Sequence, residues 1–126
     1  LDLKKVKIPV FMQASKEDHI APADSVYRSA RLFGGKTQYM MAGSGHIAGV
    51  VNHPDANKYQ HWINEALPES REEWLKGAKE HPGSWWPHWK AWLLSMNDAQ
   101  VPARKPGGGK LKPLCPAPGE YVKVRS

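Results

Sequence analysis

Asp18 and His46 each stand a few residues beyond a short apolar run, and brought together they form an acid–base pair. A carboxylate that accepts from one imidazole nitrogen fixes the tautomer of the ring. The other nitrogen is then free to serve as a general base toward a nucleophile. Gly43, Gly45 and Gly49 flank the histidine and let the backbone turn tightly around it. Taken singly, the same residues also read as an exposed ring and a turn cap, since Asp commonly bonds its own backbone in loops. The rivals are weaker. His19 adjoins Asp18, and neighbours in an extended loop point apart; Glu17 competes with Asp18 in the same way. Cys115 is the single cysteine, in Pro113-Leu-Cys-Pro-Ala-Pro118, with no strand before it and no helix after. A nucleophile elbow needs both, and Pro116 removes the N–H that would follow the thiol. Cys115 reads as a tail thiol. His53, His61, His81 and His88 show no His-x-x-x-His or Cys/His spacing, so no metal site is expected.

These residues depend on the elements that carry them. Ile8-Pro-Val-Phe-Met-Gln-Ala14 is the apolar run of a strand buried on both faces of a parallel sheet. Ser15 to Pro22 is a polar loop. From Ala23 to Phe33, Val26, Ala30 and Phe33 recur at helical spacing, and Gly34-Gly35 supplies a stop. Gln38 to Ala42 is a second strand, ended by Gly43-Ser-Gly45. The spacing predicts a right-handed β-α-β unit and an α/β fold class. Catalytic groups in such sheets gather beyond the carboxyl ends of the strands, which puts the Asp18 and His46 loops on one edge.

The segment from Asn52 to Met96 reads as helical. Ser70-x-x-Glu73 is a capping box opening a helix to about His81. Pro82-Gly83 interrupts it, Ser84 can cap the next helix, and Pro87 lies in that helix's first turn. All six tryptophans fall between Trp62 and Trp92. Trp85, Trp86, Trp89, Trp92 and Leu93 cover one helical face, suited either to packing on the sheet or to an apolar partner. Residues 1–100 read as the folded part and 101–126 as a Pro/Gly-rich tail, with Tyr121-Val-Lys-Val124 able to add an edge strand.

A chain of 126 residues fits a small domain or a piece of a larger one, and an opening at Leu1 that runs straight into a strand favours the piece. No signal pattern and no window as apolar as a membrane span is seen, so a soluble, cytoplasmic protein is expected. The net charge of +6 gathers at Lys4, Lys5, Lys7 and from Arg104 to Arg125. Neither stretch interleaves aromatics as a base-stacking surface does, so nucleic acid is not an expected partner.

Four stretches carry a resemblance. Lys16-Glu-Asp-His-Ile-Ala-Pro22, Ala42-Gly-Ser-Gly-His-Ile-Ala-Gly-Val-Val-Asn52, Gly83-Ser-Trp-Trp-Pro-His-Trp89 and Pro116-Ala-Pro-Gly-Glu-Tyr-Val-Lys123 resemble, in order, the C-terminal catalytic region of class I poly(3-hydroxyalkanoate) synthases. The resemblance implies the C-terminal portion of an α/β-hydrolase fold: its last two parallel strands plus helices, in an incomplete sheet. It implies that a cysteine in a Gly-x-Cys-x-Gly elbow attacks (R)-3-hydroxyacyl-CoA, releases CoA and builds the polyester. The family's catalytic acid falls on Asp18 and its catalytic histidine on His46, in the chain order of that fold. The elbow has no counterpart here, so the nucleophile is expected upstream and this chain alone is expected to be inactive. His53 departs from the proline common after the Asn, at a surface-type position.

The resemblance further implies no metal or redox cofactor, contact with the polyester chain or granule surface, and a homodimer when full length. It places the protein in the cytoplasm at polyhydroxyalkanoate granules. Ala48, two residues beyond His46, is a candidate wall for the substrate's 3-substituent, or else packs under the loop. Whether Asp18 also activates the 3-hydroxyl is open. The alternatives are an esterase or polyester depolymerase, which would carry Ser in the elbow, and a non-catalytic module binding granules or nucleic acid.

Overall fold

The computed structural model describes residues 1–125. Strand β1 (Val10–Ser15) and strand β2 (Thr37–Ala42) run parallel, with Val10 opposite Thr37 and Ser15 opposite Ala42. Helix α1 (Ala23–Ala30) makes the crossover between them. This is the expected β-α-β unit. The alternation of β2 splits its side chains between two covered faces. Tyr39 and Met41 join one core, Met40 and Ala42 the other, and all four are buried.

Helix α1 buries Ala23, Tyr27 and Ala30, and Asp24 in its first turn favours the positive end of the helix. It stops at Ala30, short of Phe33. The Gly34-Gly35 pair lies where the backbone from Lys4 to Ile8 passes, so close that a Cβ on either glycine would overlap a carbonyl oxygen of that segment. The glycines thus serve a close approach and not, as expected, the end of the helix, which is capped earlier at Arg31.

Two expectations about which segments form strands are corrected. The sheet does not end at two parallel strands: β3 (Gln60–Ile63) and β4 (Lys79–Pro82) continue it antiparallel, giving a four-stranded mixed sheet in the order β1-β2-β3-β4. Both lie in the stretch read as helical. β3 has four residues, too few to show a period, and it buries His61 and Trp62 between its neighbours. β4 is a polar edge strand, Lys79-Glu-His-Pro82, and an edge tolerates a proline. The second correction concerns Tyr121–Lys123, which winds into a 3-10 turn and not a strand. Local bonds, such as Val124 N–H to the Tyr121 carbonyl at 3.2 Å, satisfy its backbone without a partner strand.

Helix α2 (Arg71–Lys76) starts as expected at Ser70, whose Oγ accepts from Glu73 N–H at 3.1 Å. It ends at Gly77 and not at His81, because Asn64 Nδ2 donates to the Trp74 carbonyl at 2.9 Å and closes the last turn. Helix α3 (Trp86–Leu94) follows Ser84, whose Oγ accepts from Trp86 N–H at 3.1 Å. The chain is therefore a small α/β unit. Helices α1 and α2 pack on one face of the sheet around Tyr27, Tyr39 and Trp74; α3 packs on the other through Trp85 and Trp86.

Candidate active site

Because β1 and β2 are parallel, their following loops leave the same edge of the sheet. Two backbone bonds lace those loops together: Lys16 N–H to the Ala42 carbonyl at 2.8 Å, and Glu17 N–H to the Ser44 carbonyl at 3.0 Å. The lacing brings Asp18 and His46 face to face. Asp18 Oδ2 lies 2.8 Å from His46 Nδ1. Asp18 Oδ1 accepts from Ile20 N–H and Ala21 N–H, both at 2.9 Å. The aspartate is thus a turn cap and a histidine partner at once, one oxygen for each task.

The electrostatics favour the ionised acid. The Ala21 N–H does most to hold the Asp18 carboxyl below its ordinary 3.8; burial works against this, and His46 and the Ile20 N–H add to it. An ionised carboxylate only accepts, so the facing Nδ1 carries the proton. Nε2 is left with its lone pair, on a ring that is 45% exposed while the Asp18 side chain is 6% exposed. The arrangement can hold a neutral imidazole in one tautomer and receive a proton from the open side.

The turn that carries His46 is built for this position. Ser44 takes a positive φ of 69° before it, and Gly49 N–H closes back on the Gly45 carbonyl at 2.9 Å. Gly49 is pressed against the end of β1, where a Cβ would overlap Ser15 Oγ. Ala48 is half-buried in the turn, between exposed Ile47 and buried Gly49. On the outer side, Trp85 Nε1–H donates to the Gly49 carbonyl at 3.0 Å and Trp86 Nε1–H to the Val50 carbonyl at 2.9 Å. Sequence reasoning did not reach these two bonds. Its only signal was a pair of adjacent indoles at the start of a helix.

The rivals are not drawn in. His19 is exposed, and Glu17 engages the site through its backbone N–H only. Cys115 is an exposed free thiol in the stretch past α3. Among the described residues no group of three His, Cys, Asp or Glu side chains is placed to hold a metal. His61 stacks on His81 with centroids 5.4 Å apart, and its Nδ1 bonds the Gly83 carbonyl at 3.2 Å. His88 Nε2 lies 2.8 Å from Gln38 Nε2. Burial pushes both His61 and His88 below the ordinary histidine value. A groove of about 470 Å³ lies on the outer side of α3, lined by Pro54, Trp86, Trp89 and Leu93, and does not include Asp18 or His46. No helix among the described residues is long and apolar enough to cross a membrane.

No family model matches the chain. Individual relatives do. The poly(3-hydroxyalkanoate) polymerase subunit PhaC of Rhizobium etli is 52% identical over 126 residues, covering 100% of this chain and 20% of the relative. The poly(3-hydroxyalkanoate) polymerase of Methylorubrum extorquens is 53% identical over 127 residues, covering 100% of this chain and 21% of the relative. The corresponding subunit of Cupriavidus necator is 45% identical over 128 residues, covering 100% and 22%. The chain thus spans about a fifth of the length of the curated relatives it matches.

Proposed function

Because the chain belongs to the poly(3-hydroxyalkanoate) polymerase family, we propose that it supplies the base and the orienting acid of a polymerising site. The observation that carries this reading is the Asp18–His46 contact of 2.8 Å at the shared edge of two parallel strands, with both loops laced to each other. The nucleophile is a cysteine outside this chain, in a Gly-x-Cys-x-Gly elbow. The β-α-β unit with its antiparallel extension is read as part of an α/β-hydrolase fold.

In the first step His46 Nε2 takes the proton of that thiol. The thiolate attacks the thioester carbonyl of (R)-3-hydroxyacyl-CoA, and the tetrahedral intermediate collapses with loss of the CoA thiolate, which takes the proton back from the imidazolium. The 3-hydroxyl of a second bound unit then attacks the acyl-enzyme, again giving its proton to His46; an ester forms, and the cysteine thiolate leaves and takes that proton back from the imidazolium. Asp18 holds the productive tautomer and stabilises the imidazolium in both steps. The sequence balances without a metal or redox cofactor.

Ala48 is assigned to the wall facing the 3-substituent, where a methyl side chain suits short monomers. Residues 101–126 are assigned to a tail outside the catalytic unit. The polyester chain or granule surface, a homodimer of the whole polymerase and a cytoplasmic granule location complete the proposal. The test uses a polymerase containing this segment, 3-hydroxybutyryl-CoA and the release of free thiol. Alkylating the elbow cysteine should stop release, while Cys115→Ser should leave it near the parent rate. Release that survives elbow alkylation but vanishes in Cys115→Ser would overturn the placement of the nucleophile.

A further inference from the structure

We infer that Trp85 and Trp86 are positioning residues, which hold His46 against Asp18 by donating their indole N–H groups to the carbonyls of Gly49 and Val50. The inference rests on the reading of His46 as the base. The His46 ring is 45% exposed, so little packing of its own fixes it, and its place is set by the backbone of its turn. That turn is a single coil of helical bonds, Gly49 N–H to Gly45 and Val51 N–H to Ile47 at 2.9 and 2.8 Å. The last carbonyls of such a coil have no partner within it. Gly49 is buried against Ser15, so its carbonyl is poorly placed to find water. The Trp85 N–H meets it there, inside the protein.

The clamp is anchored. Trp85 stacks on Phe11 of β1 with centroids 6.2 Å apart, and Trp92, two turns along α3, packs on the same ring at 5.3 Å. Strand β1 also leads directly to Asp18. Both members of the pair are therefore referred to one strand: Asp18 by the chain itself, His46 through Phe11, α3 and the two indoles. From within, Ser15 at the end of β1 bears on Gly49. The turn is gripped from both sides.

The two donors are unequal. The Trp85 bond is buried and the Trp86 bond exposed, so water can replace the second more readily than the first. In a polymerase containing this segment and its nucleophile, Trp85→Phe should lower kcat for CoA release about tenfold with KM within about twofold. Trp86→Phe should lower it less, and the double variant by up to about a hundredfold. Phenylalanine is also smaller than tryptophan, so a second variant isolates the bond: the benzothiophene isostere of Trp85, which keeps the ring shape and has sulfur in place of the N–H. It should reproduce the tenfold fall in kcat with the enzyme still folded at the assay temperature, its melting temperature lowered no more than in Trp85→Phe. An isostere as fast as the parent would overturn the inference, as would losses in Trp85→Phe that the isostere does not share. His46→Gln in the same polymerase separates the two readings. If it stays active, the base assignment fails; if it is inactive while the Trp85 isostere is fast, only the clamp fails.

Discussion

Trp74 and Trp85 lie on opposite faces of one sheet, 0% and 8% exposed, and their indole N–H groups meet different fates. The Trp74 Nε1 is buried without a hydrogen-bond partner among the described residues. The Trp85 Nε1 bonds the Gly49 carbonyl beside the His46 turn. Around Trp74 the aromatic rings close on one another, Tyr27 and Tyr39 edge to face at 5.0 Å and Tyr39 and Trp74 likewise at 4.7 Å. That face is a self-contained core. The α3 face, by contrast, reaches outward through the Trp85 and Trp86 indoles to the turn that carries His46. Two buried tryptophans therefore differ in what their rings hold, and the difference lies in where the polar edge of the ring points.

The strongest perturbation of the site touches neither face. In a polymerase containing the segment, Asp18→Asn should lower kcat by about 10⁴-fold, as an amide can hold the imidazole in the wrong tautomer. Steady-state CoA release measures it; a fall below tenfold would remove the orienting role. On the α1/α2 face, Trp74→Ala should cost about 3–5 kcal/mol of stability in urea unfolding, the range for emptying a large aromatic site. Its kcat per folded molecule should stay at the parent value. If Trp74→Ala slowed chemistry as Trp85→Phe should, with folding intact, the contrast between the faces would collapse.

Ala48 sharpens the comparison within the His46 turn itself. A larger side chain should change the ratio of short to medium monomers in the polymer, by a discrimination of about 1–3 kcal/mol per methylene. An unchanged ratio with a lowered melting temperature would place Ala48 in the packing. The smallest effect is in pH. His61 and His88 titrate below the ordinary 6.5 in the folded chain because burial disfavours their charged forms. The unfolded chain then takes up protons first, so stability is full above pH 6.5 and declines as pH falls below it. Asp18 has the usual carboxylate sign: its contribution is present above 3.8 and is lost as pH falls through its lower folded value. Melting temperature against pH reads the histidine effect, and His61→Gln should flatten the decline below 6.5.

Much of this was legible in the residues, and the boundary is physical. The β-α-β unit shows because strands covered on both faces are continuous apolar runs and α1 repeats at helical spacing. Asp18 and His46 were legible as strand-end residues of such a unit. β3 and β4 were not. Gln60-His-Trp-Ile is too short for a period, and Lys79-Glu-His-Pro is an edge strand with its apolar signal missing. Helix α2 stops at Gly77 through an Asn64 side chain ten residues before Trp74, which no local pattern announces. The Trp85 and Trp86 bonds join residues 36 apart and exist only once α3 is seated on Phe11. Tertiary placement decides them.

The most direct measurement of the Asp18–His46 account is pre-steady-state CoA release from the polymerase containing this segment, compared across His46→Ala, His19→Ala and Cys115→Ser. The account predicts that His46→Ala slows acylation by about 10²–10⁴-fold, the range of general-base assistance, while the other two stay within a few-fold of the parent. A His46→Ala enzyme that acylates at the parent rate, or a His19→Ala enzyme as slow as His46→Ala should be, would contradict it.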